Sequence, residues 1–303
     1  MTLVTSSFDE LGMTFDPTLA LLNHSCNPNA AVVFDRNMAS VRSIRDIKSG
    51  EQITISYIDN TFKRATRRQQ LRNQYFFDCR CEGCEPPNNE FTGRDSWLCE
   101  SCKALIPETL LQGDFKCPQC KKVQSTNIDT LRSLEAKASS ILELSTSSNQ
   151  PPLSLLNEVL LPTLQSLTSC ASWPPIRQPA PALRHQTYTI CLSIGNLEAA
   201  YHHMNTLTTS PLLDLHPEPF HPLKTVQIFT TASLIASLAA NENSVDYLKR
   251  AWELMRLSWG LSRGSHGENS EFAQRIAKRR GEVERDLAMG GEDIRNWMRI
   301  HSG

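Results

Sequence analysis

The sequence has no marked excess of either charge and no apolar run long enough to cross a membrane. Its 31 basic and 32 acidic side chains give a formal charge of -1 over 303 residues. Nucleic-acid affinity depends mostly on a surplus of Lys and Arg that neutralises phosphates, so we expect no direct nucleic-acid partner. The most apolar stretch, 225–240, is interrupted by polar residues and shorter than the ~20 residues of a membrane span, so we expect no membrane partner.

The amino end, "MTLVTSSFDELGMTF", also lacks the basic region and the unbroken apolar region of a secretory signal. We therefore expect an intracellular protein, in the nucleus, the cytoplasm or both. Ten cysteines in a reducing compartment indicate metal ligands rather than disulfides.

The first part of the chain has the pattern of strands. Segments 31–34 and 38–44 flank a turn-like Asp-Arg-Asn and predict a hairpin. Residues 51–59 alternate, with Ile53, Ile55 and Tyr57 on one face, which predicts a half-buried strand. Asp59 or Asn60 is expected to cap a basic helix over 61–75, whose charged face we interpret as solvated.

The rest of the chain changes character twice. Residues 79–127 hold seven cysteines and few apolar residues, and we expect no packed core there without metal. Helical patterns begin near 128 and are interrupted at 149–181 by a connection rich in Pro and Ser, with one short helix at 153–169. Helices follow at about 183–194, 197–208, 222–240, 244–259 and 270–288, with Ser244 and Ser270 as N-caps. The overall prediction is an α+β protein.

Two C-x2-C knuckles predict a structural zinc ribbon. Cys99 and Cys102 form the first knuckle, and Cys117 and Cys120 form the second after 14 intervening residues. A reversal near 110–115 would bring the four thiolates around one tetrahedral Zn²⁺.

A second cysteine group, "CRCEGC", supplies Cys79, Cys81 and Cys84, one thiolate fewer than a closed structural site needs. The nearest unassigned thiol in the sequence is Cys26, within "LLNHSCNPNA". Cys26 is therefore a candidate fourth ligand. The alternative is a small buried thiol beside a cluster that has three ligands or no metal.

Three segments in order make the sequence similar to a known family. "GMTFDPTLALLNHSCNPNA", "RSIRDIKSGEQITISYID" and "RRQQLRNQYFFDCRCEGC" resemble the C-terminal half of a SET domain and its post-SET zinc cluster, as found in SET-and-MYND lysine methyltransferases. The later helices resemble that family's tetratricopeptide-like domain more loosely. The implied domains are a SET half over 1–78, a post-SET cluster over 79–90, a zinc ribbon over 91–127 and a helical domain over 128–303.

The resemblance implies roles for particular residues. Asn23 and His24 would contact S-adenosylmethionine, Leu22 would line its pocket and Phe77 would pack on its adenine. Tyr57 would stand where cofactor and lysine meet and would orient the amine. Cys26, Cys79, Cys81 and Cys84 would share one zinc ion, so that the chain would hold two structural zinc ions in all. The implied partners are a protein substrate with a target lysine, from a histone or another protein, and proteins bound by the helical domain.

The sequence departs from the family pattern near its beginning. No Gly-x-Gly turn of the kind that approaches the cofactor occurs, and no MYND zinc finger is present. We expect that residue 1 falls within the SET domain and that part of the cofactor pocket is missing. Two hypotheses follow: a SET-type protein-lysine methyltransferase that is incomplete in this chain, and a catalytically silent, zinc-stabilised protein-interaction module.

Overall fold

The computed structural model describes residues 16–85, 92–108, 116–147, 149–210, 214–289 and 292–301. Strands and two cysteine clusters occupy the first part of this sequence, and helices occupy the remainder. The α+β prediction is therefore confirmed. The predicted reversal at 110–115 lies outside the described residues.

The predicted hairpin is present. Strands β2 (Ala30–Asp35) and β3 (Met38–Ser43) pair antiparallel from Ala30 opposite Ser43 to Asp35 opposite Met38. The tip of the hairpin touches the helical region, because Asp35 Oδ1 accepts a hydrogen bond from the Glu271 backbone N–H at 3.1 Å.

The predicted strand over 51–59 is mostly wrong. Only β4 (Thr54–Ile55) forms, and it pairs parallel with β1 (Asn23–His24), which follows a short 3-10 turn at Leu19–Leu21. Ile53 is 46% exposed whereas Ile55 is 6% exposed, so the alternating residues do not share one buried face. The described part of the chain offers β4 a partner only two residues long, and the ladder cannot extend further.

The basic helix α1 (Arg64–Tyr75) is present, but neither predicted cap serves it. Asp59 instead accepts from the Thr61 N–H, and the Arg64 N–H at the helix start donates to Asp95 Oδ1 at 2.5 Å. The interpretation of the basic face as wholly solvated is also wrong, because Arg67 is buried at 4% exposure.

The ribbon region contributes to a packed core that includes Cys99 and Cys117, and the expectation that this core depends on metal stays a prediction. Strands β5 (Ser96–Leu98) and β6 (Leu105–Pro107) pair antiparallel on either side of the first knuckle. Trp97 and Ile106 are buried together with leucines of the following helices. One apolar core therefore includes residues from both sides of position 128, where the helical pattern begins.

The segment rich in Pro and Ser, predicted to be a connection, is largely helical. After α2 (Ile128–Thr146), helical backbone runs through α3 (Pro152–Ser154), a wide π-helical turn (Leu155–Leu160) and α4 (Leu161–Thr168). The short helix predicted at 153–169 is thus present. Four of its leucines are buried in the same core as Trp97, namely Leu155, Leu160, Leu164 and Leu167, which explains why the segment packs despite its prolines.

The remaining helices follow the predicted order. They are α5 (Ala180–Ser193), α6 (Leu197–Thr209), α7 (Pro222–Glu242), α8 (Val245–Ser262), a π-helical turn (Arg263–Gly267), α9 (Glu271–Ala288) and α10 (Glu292–His301). From α5 to α9, successive helices pack against each other. Ser244 and Ser270 accept backbone N–H bonds from Tyr247 and Ala273, as predicted for N-caps.

Helix α7 is long and apolar enough to span a membrane by length and composition, the one such helix in the described part of the chain. Its apolar character has a packing explanation. The helix lies between α6 and α8, and ten of its side chains are buried.

Candidate functional site

Two short strands bring distant parts of the sequence together at the site. Asn23 and His24 pair with Thr54 and Ile55, and the Ser25 N–H donates to the Ile55 carbonyl at 2.9 Å. The His24 ring extends this pairing, because its Nδ1 accepts the Tyr57 backbone N–H at 3.0 Å. Asn23 itself is exposed.

Tyr57 contacts the segment that precedes β1. Its hydroxyl donates a short hydrogen bond to the Leu22 carbonyl, and its backbone carbonyl accepts from the Tyr75 hydroxyl at 3.1 Å. Burial raises the pKa of Tyr57 above its usual value near 10, and the nearby Tyr75 raises it further by a smaller amount. The Tyr57 hydroxyl therefore stays protonated at neutral pH and acts as a donor.

Asn29 holds the start of β4 against the loop that follows β1. The Asn29 side chain donates to the Gln52 carbonyl at 2.8 Å and to Glu51 Oε1 at 3.0 Å, and accepts the Thr54 N–H at 2.9 Å. Asn29 is 1% exposed. It lies in the "NPN" of the opening motif, and this position in the motif is the signal that could have identified it.

Aromatic rings surround His24. The centroids of the Tyr57 and Phe77 rings lie 5.3 and 6.0 Å from the centroid of the His24 imidazole. Phe76 ends helix α1 in the left-handed conformation, with φ of 59°, and is 87% exposed, whereas Phe77 is half-buried beside the cysteine cluster. Tyr75 completes the aromatic group, at 5.0 Å from Tyr57.

Cys26 converges with the triplet from the other end of the site. The sulfur atoms of Cys26, Cys79, Cys81 and Cys84 all lie within 4.8 Å of one another, and those of Cys26 and Cys84 are 3.5 Å apart. Tetrahedral bonds of ~2.3 Å place thiolate sulfurs ~3.8 Å apart. The four thiols therefore form a group, here called the post-SET cluster, that could hold a metal ion.

The thiols of the post-SET cluster shift one another's pKa values through their hydrogen bonds. Hydrogen bonds from Cys26 and Cys84 lower the pKa of the Cys81 thiol, while the hydrogen bond to Cys81 raises the pKa of Cys26. A bound dication would stabilise all four thiolates, and binding would release protons.

Two residues beside the post-SET cluster were not predicted from the sequence. The Arg67 guanidinium donates to the Gly83 carbonyl at 2.8 Å and to the Phe62 carbonyl. A Cβ on Gly83 would lie 3.1 Å from the backbone carbon and the Cβ of Cys26, so the turn approaches Cys26 closely. Arg67 is hidden in a basic run, where no local signal separates it from exposed arginines.

The other four cysteines form a second group, here called the ribbon cluster. The sulfurs of Cys99 and Cys120 are 3.6 Å apart, as are those of Cys102 and Cys117, and all four lie within 4.8 Å of one another. Both knuckles share one geometry, in which the N–H of the second cysteine points at the sulfur of the first at 3.5 Å. The residue after each knuckle, Lys103 or Lys121, has a positive φ that closes the turn.

The structure therefore brings Leu22, His24, Tyr57 and Phe77 to one place beside the post-SET cluster, with Asn23 exposed at its edge. The cofactor-binding and catalytic roles of these residues stay predictions. The proximity of Cys26 to the triplet matches the arrangement expected from the sequence, and the metal-ligand roles of all eight cysteines also stay predictions.

Comparison with known proteins defines the class of this site. Residues 4–58 match the SET domain family. The chain is 48% identical over 96 residues to SET domain and MYND-type zinc finger protein 6 of Schizosaccharomyces pombe, covering 32% of this chain and 19% of the relative.

Two longer matches extend into the helical region. Histone-lysine N-methyltransferase SMYD3 of Homo sapiens is 26% identical over 266 residues, and histone-lysine N-methyltransferase ASHR1 of Arabidopsis thaliana is 26% identical over 264 residues. These alignments cover 86% and 83% of this chain but 52% and 53% of the relatives. The chain thus carries a SET-domain segment, resembles SET-and-MYND-type methyltransferases over most of its length, and spans about half the length of these two relatives.

Proposed function

We propose that this chain contributes part of the active site of a protein-lysine N-methyltransferase that uses S-adenosylmethionine. The observation that carries the proposal is the pairing of Asn23–His24 with Thr54–Ile55, which sets Tyr57 against Leu22 in a SET-domain segment. S-adenosylmethionine supplies a methyl group activated by attachment to a sulfonium sulfur. The substrate would be a lysine side chain of a histone or another protein.

The side chains here suit positioning more than proton transfer. A lysine side chain in water has a pKa of about 10.4 and must lose a proton before its nitrogen can act as a nucleophile, and an apolar aromatic surround favours the neutral amine. The Tyr57 hydroxyl directs its proton to the Leu22 carbonyl, which leaves an oxygen lone pair to accept an N–H from that amine. Orientation of the amine by such contacts is a large source of rate enhancement.

Both cysteine clusters fit zinc. Four thiolate donors at tetrahedral spacing are typical of structural Zn²⁺ sites, with no open position for catalysis. In the post-SET cluster, Cys26, Cys79, Cys81 and Cys84 would hold the ion beneath Tyr57 and Phe77, which pack against this cluster. In the ribbon cluster, Cys99, Cys102, Cys117 and Cys120 would hold the second ion. Ten free thiols also support an intracellular location, in the nucleus or cytoplasm.

A second candidate function is a protein-interaction module that does not transfer methyl groups. It is favoured by the core shared between Trp97 and the following helices, since a ribbon built this way stabilises the helical region regardless of any cofactor. The helical hairpins from α5 to α9 would then bind partner proteins.

Calorimetric titration of the chain with S-adenosylmethionine tests the first proposal. We expect micromolar binding by the unmodified chain and none by Asn23→Ala, because the proposal places Asn23 in contact with the cofactor. Since Asn23 is exposed, its replacement should leave the fold intact, so a loss of binding would report that contact. Asn27→Ala is the matched control, an exposed asparagine four residues along the same motif. Absence of heat from the unmodified chain would contradict cofactor binding by this chain and would favour the interaction module.

A further inference from the structure

The His24 imidazole makes two directed contacts, one from each ring nitrogen. Nδ1 accepts the Tyr57 backbone N–H at 3.0 Å, so it carries no proton in this arrangement. The proton of the neutral ring is therefore on Nε2, which lies 3.2 Å from Cys26 Sγ. We infer that His24 is a positioning residue of the metal site, which donates from Nε2 to the Cys26 thiolate and holds the Tyr57 backbone through Nδ1.

The charge of the post-SET cluster explains the need for such a donor. Four thiolates around a dication leave a net charge of about -2, and sulfurs of a buried site lose the hydrogen bonds that water would provide. Two other groups also place positive or hydrogen-bonding atoms near these thiolates. The Cys26 N–H donates to Cys81 Sγ at 3.2 Å, and the Arg67 guanidinium is buried next to the cluster, where it holds the Gly83 carbonyl. His24 differs from both because its other nitrogen leads to the proposed catalytic tyrosine.

The consequence is a physical connection between metal binding and the orientation of Tyr57. The metal fixes the position of Cys26 Sγ, the sulfur fixes the plane of the His24 ring, and the ring fixes the Tyr57 N–H. The Tyr57 hydroxyl in turn contacts the Leu22 carbonyl, two residues before His24 in the sequence. The link to Tyr57 chemistry rests on the proposed function, whereas the link from His24 to the metal does not.

Two substitutions separate the two contacts. Asparagine reaches about as far as Nδ1, so His24→Asn offers a carbonyl to the Tyr57 N–H but no donor to Cys26. Glutamine reaches about as far as Nε2, so His24→Gln offers an N–H to Cys26 and gives up the Tyr57 contact. His202→Gln, at an exposed position on α6, is the control.

The measurements are made on the full chain with Co²⁺ in place of the native metal and without S-adenosylmethionine. Competition with a chelator gives the affinity of each site, and the thiolate-to-cobalt absorption reports hydrogen bonding to the sulfurs. We expect His24→Asn to weaken one site by ~10- to 100-fold, the usual effect of losing an outer partner of a metal ligand, and to shift its absorption. The ribbon cluster serves as the internal reference. His24→Gln and His202→Gln should keep both sites unchanged.

Hydrogen exchange of the Tyr57 amide should show the reverse order, with faster exchange in His24→Gln than in His24→Asn. Equal cobalt affinity and absorption in both His24 variants and the unmodified chain would overturn the inference. Equal losses in both His24 variants, including loss through unfolding, would overturn it as well, because the glutamine variant must retain the metal contact. Since no readout involves the cofactor, failure of this inference is distinct from failure of the proposed function.

Discussion

Replacing Asn29 by alanine should loosen the β1–β4 pairing without touching any proposed cofactor or metal ligand. Asn29 makes two hydrogen bonds to backbone groups, to the Gln52 carbonyl and from the Thr54 N–H, at 2.8 and 2.9 Å. Each such bond contributes ~0.5–1.5 kcal/mol, so the two together contribute about 1–3 kcal/mol to the local pairing. Because Asn29 is fully buried, its removal leaves the Gln52 carbonyl and the Thr54 N–H without hydrogen bonds, so we expect a loss of pairing free energy toward the upper end of this range.

Hydrogen exchange is the suitable assay because it measures local opening. A loss of about 1–3 kcal/mol corresponds to a fall of ~5- to 150-fold in the protection of the Thr54 and Tyr57 amides. Asn27→Ala, at an exposed position in the same loop, is the control and should leave protection unchanged. If the Thr54 and Tyr57 amides are equally protected in the Asn29 and Asn27 variants, Asn29 does not hold β4 in place.

Three further predictions concern the rest of the structure. Arg177→Met should lower the free energy of unfolding in urea by about 3–5 kcal/mol. It removes a guanidinium that is 1% exposed, bonded to the carboxylates of Glu108 and Glu135, and stacked 3.8 Å from the centroid of the Trp97 ring. An unchanged unfolding midpoint and slope would contradict this prediction. Burial lowers the pKa of the stacked His216 and His221 to about 4 and about 3, below the usual 6.5, so the unfolded state binds more protons and stability should fall as pH drops below about 6.5 toward 3. Paired substitution of both histidines by glutamine should flatten the thermal stability profile between pH 7 and 4, and an unaltered slope would disprove their role. Gly83→Ala should reduce zinc affinity at the post-SET cluster and leave the ribbon cluster unchanged, measured by chelator competition, because its Cβ would crowd Cys26. Affinity at the post-SET cluster equal to that of the unmodified chain would contradict this prediction.

The features found from the sequence are those encoded by short spacings or by ordered motifs. The C-x2-C spacing identified the ribbon cluster, and the helical periodicity with serine caps located the helices from α5 to α9. The order of the motif segments identified the SET resemblance.

The features missed depend on contacts between distant residues. The strand at Thr54–Ile55 is limited by a two-residue partner some thirty positions earlier, and alternation within 51–59 carries no information about that length. Similarly, the first N–H of helix α1 donates to the side chain of Asp95, in the ribbon region, rather than to a residue that precedes the helix. Arg67 is buried because of where the Gly83 turn lies, which a run of basic residues cannot reveal.

In the proposed arrangement, Cys26 shares one metal ion with the distant triplet and thereby fixes the site around His24 and Tyr57. Zinc content per chain, measured by mass spectrometry on protein purified without added chelator, tests it most directly. We predict two zinc ions in the unmodified chain, one in Cys26→Ala, and two in Cys170→Ala, which alters a thiol outside both clusters. Retention of both ions by Cys26→Ala would contradict the claim.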